Sequence, residues 1–208
     1  MLVFSSARLV FLSVPKTGST AYEEALLPVA SMVVSAPPEL KHAPVFRYNR
    51  FFRPALEKFI GHDLDVLAVM REPLDWLGSW YRFRKRPALR GQSNSTGDVT
   101  FDEFVDAYMK GQKPPFADVG SQAKFLEPQA NGTAVTHLFR YEDQAGLRAF
   151  LRKRLDVTVQ PDRINCSPAE KLELSDRTRQ RFERKFSNEY KLYASIREGG
   201  AYTALPQE

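Results

Sequence analysis

Short apolar runs alternate along this chain with longer stretches in which apolar residues recur at helical spacing. Short runs bounded by turn signals are typical of buried strands, and the recurring pattern is typical of helices that bury one face. The pattern predicts strands at 8–14, 31–34, 64–70 and 134–140, and helices at 18–30, 73–85, 101–110, 120–127, 143–155 and 175–196. Because strands and helices alternate, we expect one α/β domain over 1–208, with a central parallel sheet flanked by helices.

The turn between the first predicted strand and helix has the composition of an anion-binding loop. It consists of Pro15, Lys16, Thr17, Gly18, Ser19 and Thr20. Backbone N–H groups at a helix start converge on one point and carry the positive end of the helix dipole. Gly18 allows the backbone to approach an anion, Lys16 adds a positive charge, and the hydroxyls add donors. The loop therefore predicts a phosphate or sulfate site, but the order of lysine and glycine excludes a Walker A loop.

A second candidate lies where the strand at 64–70 meets the helix at 73–85. Arg71 follows the strand directly, at the carboxyl end where open α/β sheets bind their ligands. Its guanidinium is able to hold a phosphate through two parallel hydrogen bonds, and Ser79 in the following helix adds a hydroxyl. An ion pair of Arg71 with Glu72 or Asp75 is the structural alternative.

These two elements resemble the donor-binding elements of the sulfotransferases that use 3′-phosphoadenosine-5′-phosphosulfate (PAPS), most closely the smaller bacterial and carbohydrate-type members. The resemblance implies a P-loop-like fold with PAPS as co-substrate and no metal. It implies binding of the 5′-phosphosulfate by Lys16, Thr17, Gly18, Ser19 and Thr20, and of the 3′-phosphate by Arg71 and Ser79. Since sulfuryl transfer needs stabilisation of the leaving oxygen, Lys16 is also the expected catalytic group. The acceptor is expected to be a sugar, a glycolipid or a small metabolite.

The resemblance extends to later parts of the chain, with two departures. A strand followed by Tyr-Glu-Asp at 141–143, the segment 164–167 and the basic helix from Ser175 are similar to the family's closing portion. Many members carry an aromatic residue after the last threonine of the loop to stack on adenine, whereas this chain has Ala21. The family's late basic glycine loop has no clear counterpart before Gly199. The residues that recognise adenine are therefore unassigned.

The acceptor also needs a base to take its proton, and the chain has three histidines. His42 is the preferred candidate because it lies in the irregular segment after the second predicted strand, on the side where donor and acceptor should meet. His137 is expected to be a core histidine within a strand, and His62 a turn residue. In the family the base is a histidine or a glutamate, so Glu23 and Glu24 are alternatives.

Composition agrees with an enzyme domain. With 208 residues and 43% hydrophobic residues, the chain is long enough to bury a full α/β core. Its net charge of +5 suits an anionic donor or acceptor. Nucleic acid is a less favoured partner because the basic runs at 82–90 and 177–185 each contain a single aromatic residue, which is not the interleaving that a base-stacking platform needs. Cys166 is the single cysteine, and the longest apolar stretch, at 25–34, is too short to span a bilayer, so we expect a cytoplasmic location.

Two other classes of function stay open. A non-catalytic module would bind sulfated or phosphorylated ligands through Lys16 and Arg71 without turning them over. A small-molecule kinase is less favoured, because it would need a loop with the order Gly-Lys-Ser/Thr and a metal-binding carboxylate.

Overall fold

Five strands form a mixed sheet in the computed structural model, which describes residues 1–161 and 172–204. The strands are β1 (Leu2–Phe4), β2 (Leu9–Phe11), β3 (Met32–Val33), β4 (Asp65–Met70) and β5 (His137–Arg140), and their order in the sheet is β3-β1-β2-β4-β5. β2, β4 and β5 are parallel, whereas β1 is antiparallel to both β2 and β3. The prediction of a parallel sheet is confirmed for β2, β4 and β5; it is wrong for β3 and does not include β1.

The antiparallel part of the sheet comes from a hairpin that the sequence pattern misses. β1 has three residues, all buried, so it is too short to show an alternation of apolar and polar positions. The chain turns back through 5–8, where Arg8 N donates to Ser5 O at 3.1 Å and Arg8 adopts a φ of 49°. A turn with a positive φ at a non-glycine residue carries no strong sequence signal.

Helices surround the sheet. Their bounds are α1 (Ser19–Leu26), α2 (Pro38–Lys41), α3 (Val45–Arg47), α4 (Arg53–Ile60), α5 (Pro73–Arg84), α6 (Phe101–Tyr108), α7 (Gln122–Phe125), α8 (Gln144–Leu155), α9 (Asp176–Lys185) and α10 (Ser187–Ala194). A π-helical turn at Tyr48–Phe52 joins α3 to α4, and short 3-10 turns lie at Leu27–Val29, Pro87–Leu89 and Glu198–Gly200.

Three helical predictions differ from the structure. The helix predicted at 18–30 ends at Leu26, because Pro28 continues the chain as a 3-10 turn. The helix predicted at 175–196 is divided between α9 and α10 at Phe186, whose ψ of 34° departs from helical geometry. The segment between β3 and β4, which the pattern leaves unassigned, contains α2, α3 and α4.

Each face of the sheet packs against its own apolar core. Along β4 the side chains alternate: Val66, Ala68 and Met70 join one core, and Leu67 and Val69 join the other. The first core also receives side chains from α3, α4 and α10, and the second from α1 and α8. A period of two along a strand that is buried on both faces produces this division.

A third core joins α5 to α6 and α9. Trp76, Tyr81, Phe104 and Phe182 are buried in it. This packing fixes α5, whose first turn is capped by Glu72 through a 2.7 Å hydrogen bond from the Asp75 backbone N–H. The packing of α5 and the cap at Glu72 therefore fix the start of α5, which directly follows the carboxyl end of β4.

The segment 164–167, including Cys166, lies outside the described residues. Among the helices of 1–161 and 172–204, none combines the length and the apolar composition that crossing a bilayer requires.

Candidate functional site

The three parallel strands bring distant parts of the sequence to one edge of the sheet. Phe11 pairs with Leu67, and Met70 pairs with Arg140, so β2, β4 and β5 end close together. The loop at 13–18, Arg71 and Tyr141 follow these strands and meet at this edge. Ligands of open α/β sheets bind at the carboxyl ends of parallel strands.

Two residues with a left-handed backbone conformation shape the loop before α1. Lys16 has a φ of 66° and Gly18 a φ of 74°. A Cβ on Gly18 would lie 3.2 Å from Cε2 of Tyr141, so this position favours glycine for space as well as for conformation. The Thr17 hydroxyl donates to Val14 O at 2.8 Å, which closes the turn. The loop is thus a defined turn whose backbone leads into the N-terminus of α1, where N–H groups lack intrahelical acceptors.

Lys16 lies against the aromatic face of α5. Its Nζ atom is 4.1 Å from the ring centre of Phe83 and 5.6 Å from that of Trp80. Burial, followed by the positive charges of Arg86, Arg71 and Arg82, lowers the pKa of Lys16 to about 8. A lysine among other cations in a partly buried site is stabilised when an anion binds beside it.

Arg71 is fixed through both its side chain and its backbone. Its Nε donates to Asp75 Oδ2 at 2.6 Å, and its Nη1 lies 3.3 Å from Lys16 O. The guanidinium carbon is 4.4 Å from the ring centre of Tyr141. Gln122 accepts from Arg71 N and donates to Arg71 O, each at 2.9 Å. The ion pair with Asp75 is formed, and it also directs the guanidinium toward the loop.

Ser79 and Trp76 lie on the side of α5 that faces the loop. Trp76 Nε1 donates to Pro15 O at 2.8 Å. Ser79 is buried, and it shares a helix face with Trp76 and Phe83 because it lies three and four residues from them. This face contacts Pro15 through Trp76 and Lys16 through Phe83.

Positive charge predominates around the loop. Lys16, Arg71, Arg82 and Arg86 interact electrostatically there. Asp75 is an acidic partner within this group, with Oδ2 at 2.6 Å from Arg71 Nε and Oδ1 at 3.6 Å from Arg82 Nη2. Glu72 and Glu142 also lie at this edge, where Glu72 N donates to Glu142 Oε1 at 3.1 Å. The three carboxylates offset the charge of the four cations only in part.

His42 contacts the chain just before Lys16. Its Nδ1 lies 2.7 Å from Ser13 O. When Nδ1 donates to this carbonyl, the neutral imidazole presents Nε2 as an acceptor. Burial lowers the pKa of His42 below its usual value of 6.5. The imidazole is therefore uncharged at neutral pH and competent to take a proton.

The other candidate bases occupy different surroundings. Glu23 is buried and forms an ion pair with Lys41 at 3.1 Å, next to His42 in the chain. Glu24 is exposed on α1. His62 is exposed and lies 3.6 Å from a Glu57 oxygen, and His137 in β5 lies 3.8 Å from an Asp65 oxygen. Only His42 and Glu23, of these candidates, lie beside the loop.

A cavity of about 720 Å³ opens next to the loop. Val14, Pro15 and Trp76 line one part of it, and Gln122 and Phe46 line others. Pro44, two residues after His42, is also in its wall. The cavity is within the size range of small-molecule sites and adjoins both the loop and the segment of His42.

Three residues of this site were not identified from the sequence. Tyr141 could have been found, because it follows β5 at the edge where Arg71 follows β4. Trp76 and Gln122 act through contacts to Pro15 and Arg71, which are far from them in the sequence. No local pattern distinguishes such residues from ordinary core residues.

Comparison of the chain with protein-family models gives no match, and comparison with curated protein sequences gives no significant match either. The geometry and the charges of the site are therefore the observations that bear on function.

Proposed function

We propose that this protein is a PAPS-dependent sulfotransferase with a P-loop-like fold, which transfers the sulfuryl group to a hydroxyl or amine acceptor. One observation carries the proposal: the Lys16 loop, Arg71 and His42, which are far apart in the sequence, meet at one edge of the sheet. Arg71 reaches Lys16 O at 3.3 Å and His42 reaches Ser13 O at 2.7 Å. A loop for an anion, a guanidinium and a neutral imidazole are the groups that sulfuryl transfer requires.

The donor would lie along the start of α1. Backbone N–H groups of the loop, with the Ser19 and Thr20 hydroxyls nearby, would hold the 5′-phosphosulfate. Arg71 and Ser79 would hold the 3′-phosphate. Arg71, Arg82 and Arg86, whose charges act on Lys16, support a donor with several negative charges.

Each reacting group has an assigned part in the transfer. The acceptor oxygen or nitrogen attacks sulfur, and the bond from sulfur to the 5′-phosphate oxygen breaks. Lys16 stabilises the charge that develops on that leaving oxygen. His42 Nε2 takes the proton from the acceptor. The products are the sulfated acceptor and 3′-phosphoadenosine-5′-phosphate (PAP).

The cavity of about 720 Å³ is the natural place for the acceptor. It adjoins Pro15 on the donor side and Pro44 near His42. An acceptor bound there would present its hydroxyl or amine between the loop and the imidazole.

The test is formation of PAP from PAPS in the presence of a panel of sugars, glycolipids and small alcohols. We expect turnover by the wild-type protein with at least one acceptor, loss of turnover in Lys16→Ala, and full turnover in Arg152→Ala, which changes an exposed arginine of α8. Turnover that survives Lys16→Ala would contradict the role of this lysine. Tight PAP binding without turnover across the whole panel would favour the non-catalytic anion-binding module.

A further inference from the structure

The segment from α3 to α4 presents one continuous stripe of exposed side chains. The exposed positions are Phe46, Arg50, Phe51, Pro54, Ala55, Lys58 and Phe59. They recur at intervals of four and five residues, which places them along one side of the helical segment. The opposite side is anchored in the core by Val45, Tyr48 and Leu56. This stripe is therefore a fixed outer face of the fold.

The chemistry of the stripe is unusual for a solvated helix face. Phe46 is 47% exposed, Phe51 60% and Phe59 82%. The remaining members are two small residues and two cations, and none of the seven is a carboxylate or an uncharged polar residue. Solvated helix faces carry mixed charges and polar groups, whereas large exposed apolar patches mark interaction sites.

A cation accompanies each exposed ring. Arg47 Cζ lies 5.7 Å from the ring centre of Phe46, and Arg50 Cζ lies 5.4 Å from that of Phe51. Lys58 Nζ lies 5.9 Å from the ring centre of Phe59. The nearest acidic side chain along the helix, Glu57, is paired with Arg53 at 2.5 Å. Within the part of the chain that the structure describes, neither Arg50 nor Lys58 forms an ion pair, so the stripe combines apolar rings with positive charge.

We propose that this stripe docks the protein on an anionic membrane surface. Phenylalanine rings that protrude from a helix lie favourably at the boundary between lipid head groups and acyl chains, and adjacent lysines and arginines attract acidic head groups. The cations lie beside the rings on the same face, so their charge is complementary to that of acidic lipid head groups. A single-stranded nucleic acid fits less well, since it needs a groove with stacking platforms, whereas these rings project from a convex helix.

One end of the stripe lies at the cavity. Phe46 is the first residue of the stripe and also lines the cavity beside Pro15. A protein docked through the stripe would hold the mouth of this cavity near the lipid surface. The docking itself is independent of the proposed catalytic activity.

The experiment is cosedimentation with vesicles of phosphatidylcholine and phosphatidylglycerol at a ratio of about 3:1, with pure phosphatidylcholine vesicles for comparison. We expect binding to the anionic vesicles only, with an affinity that falls as salt is raised. Phe51→Ser/Phe59→Ser and Arg50→Gln/Lys58→Gln should each weaken binding at least about tenfold. Leu27→Ser, which changes a leucine that is 56% exposed outside the stripe, is the matched control and should bind normally.

Thermal unfolding and PAP titration of the same variants separate docking from folding and from the donor site. The unfolding temperature and the PAP affinity should both be unchanged, because the substituted side chains are exposed and lie outside the Lys16 loop. Equal vesicle binding by the wild type and by Phe51→Ser/Phe59→Ser would overturn the proposal, as would absence of binding to anionic vesicles. A dimer, or a complex with a single-stranded oligonucleotide, that is lost in these variants while vesicles do not bind would assign the stripe to that partner instead.

Discussion

The Nδ1 atom of His42 lies 2.7 Å from the carbonyl oxygen of Ser13, three residues before Lys16 in the chain. This contact ties the C-terminal end of α2 to the end of β2 and sets the orientation of the imidazole. A carbonyl that accepts from Nδ1 leaves Nε2 as the basic nitrogen. The backbone that holds the proposed donor loop therefore also orients the proposed base.

Replacement of this base should separate chemistry from donor binding. We expect His42→Ala to lower turnover by about 100-fold or more, because general base catalysis contributes roughly that much. PAP affinity should be nearly unchanged, since the proposed donor contacts come from the Lys16 loop, Arg71 and Ser79 and not from His42. His62→Ala is the control, because that side chain is 85% exposed and lies away from the loop. Equal turnover of His42→Ala and wild type would shift the role of base to Glu23.

The lowered pKa of Lys16 predicts how donor binding depends on pH. In the free protein the Lys16 pKa is about 8, and a bound anion should raise it by favouring the charged form. PAP affinity should therefore be constant from about pH 7 to 8 and fall by up to about tenfold per pH unit above this. His42 does not titrate in this range, because burial lowers its pKa below 6.5. The same titration with Lys16→Met should show weaker affinity and no decline; an identical decline in this variant would assign it to another group.

Gly18 should tolerate no side chain without loss of stability. Its φ of 74° disfavours other residues, and an added Cβ would lie 3.2 Å from Tyr141. We expect Gly18→Ala to lower the free energy of unfolding by about 2 kcal/mol in urea titrations. Gly91→Ala is a matched control with a φ of 78° and nothing within 4 Å of the added Cβ. It should cost about 1 kcal/mol, so the difference measures the contact with Tyr141. Equal losses in the two variants would show that this contact is unimportant.

Gln122 should matter for stability and for the donor site together. It is 1% exposed and satisfies both the N–H and the C=O of Arg71. Gln122→Leu leaves these two backbone groups without their partner, and we expect a loss of about 2 to 4 kcal/mol in the free energy of unfolding. PAP affinity of the folded variant should also fall, because Arg71 loses its anchor. Gln92→Leu, at an exposed glutamine, should change neither quantity.

Part of this fold could be predicted from the sequence for clear physical reasons. The sequence predicts a strand at 64–70, and β4 lies at Asp65–Met70, because a strand buried on both faces is a continuous apolar run. The start of α5 was predicted at Pro73, where a proline suits the first turn of a helix. The three-residue strand β1 and the short helices α2 and α3 could not be predicted, since too few residues define a period.

The same distinction holds for the site. Lys16 and Arg71 could be identified because each follows a strand and belongs to a chemically distinctive local pattern. Trp76 and Gln122 could not, because their contacts with Pro15 and Arg71 exist only after the chain has folded. The short motifs identify the groups that would meet the donor, and the tertiary packing supplies the residues that hold them.

The most direct test of the central claim is a calorimetric titration with PAP, the desulfated donor product, at about pH 7. Wild type, Arg71→Ala and the exposed control Arg152→Ala would be compared. We expect micromolar binding by the wild type and by Arg152→Ala, and a loss of at least about 30-fold in Arg71→Ala, since a guanidinium that holds a phosphate contributes charge-assisted hydrogen bonds. Absence of PAP binding by the folded wild type, or equal affinity in Arg71→Ala, would contradict the proposed donor site.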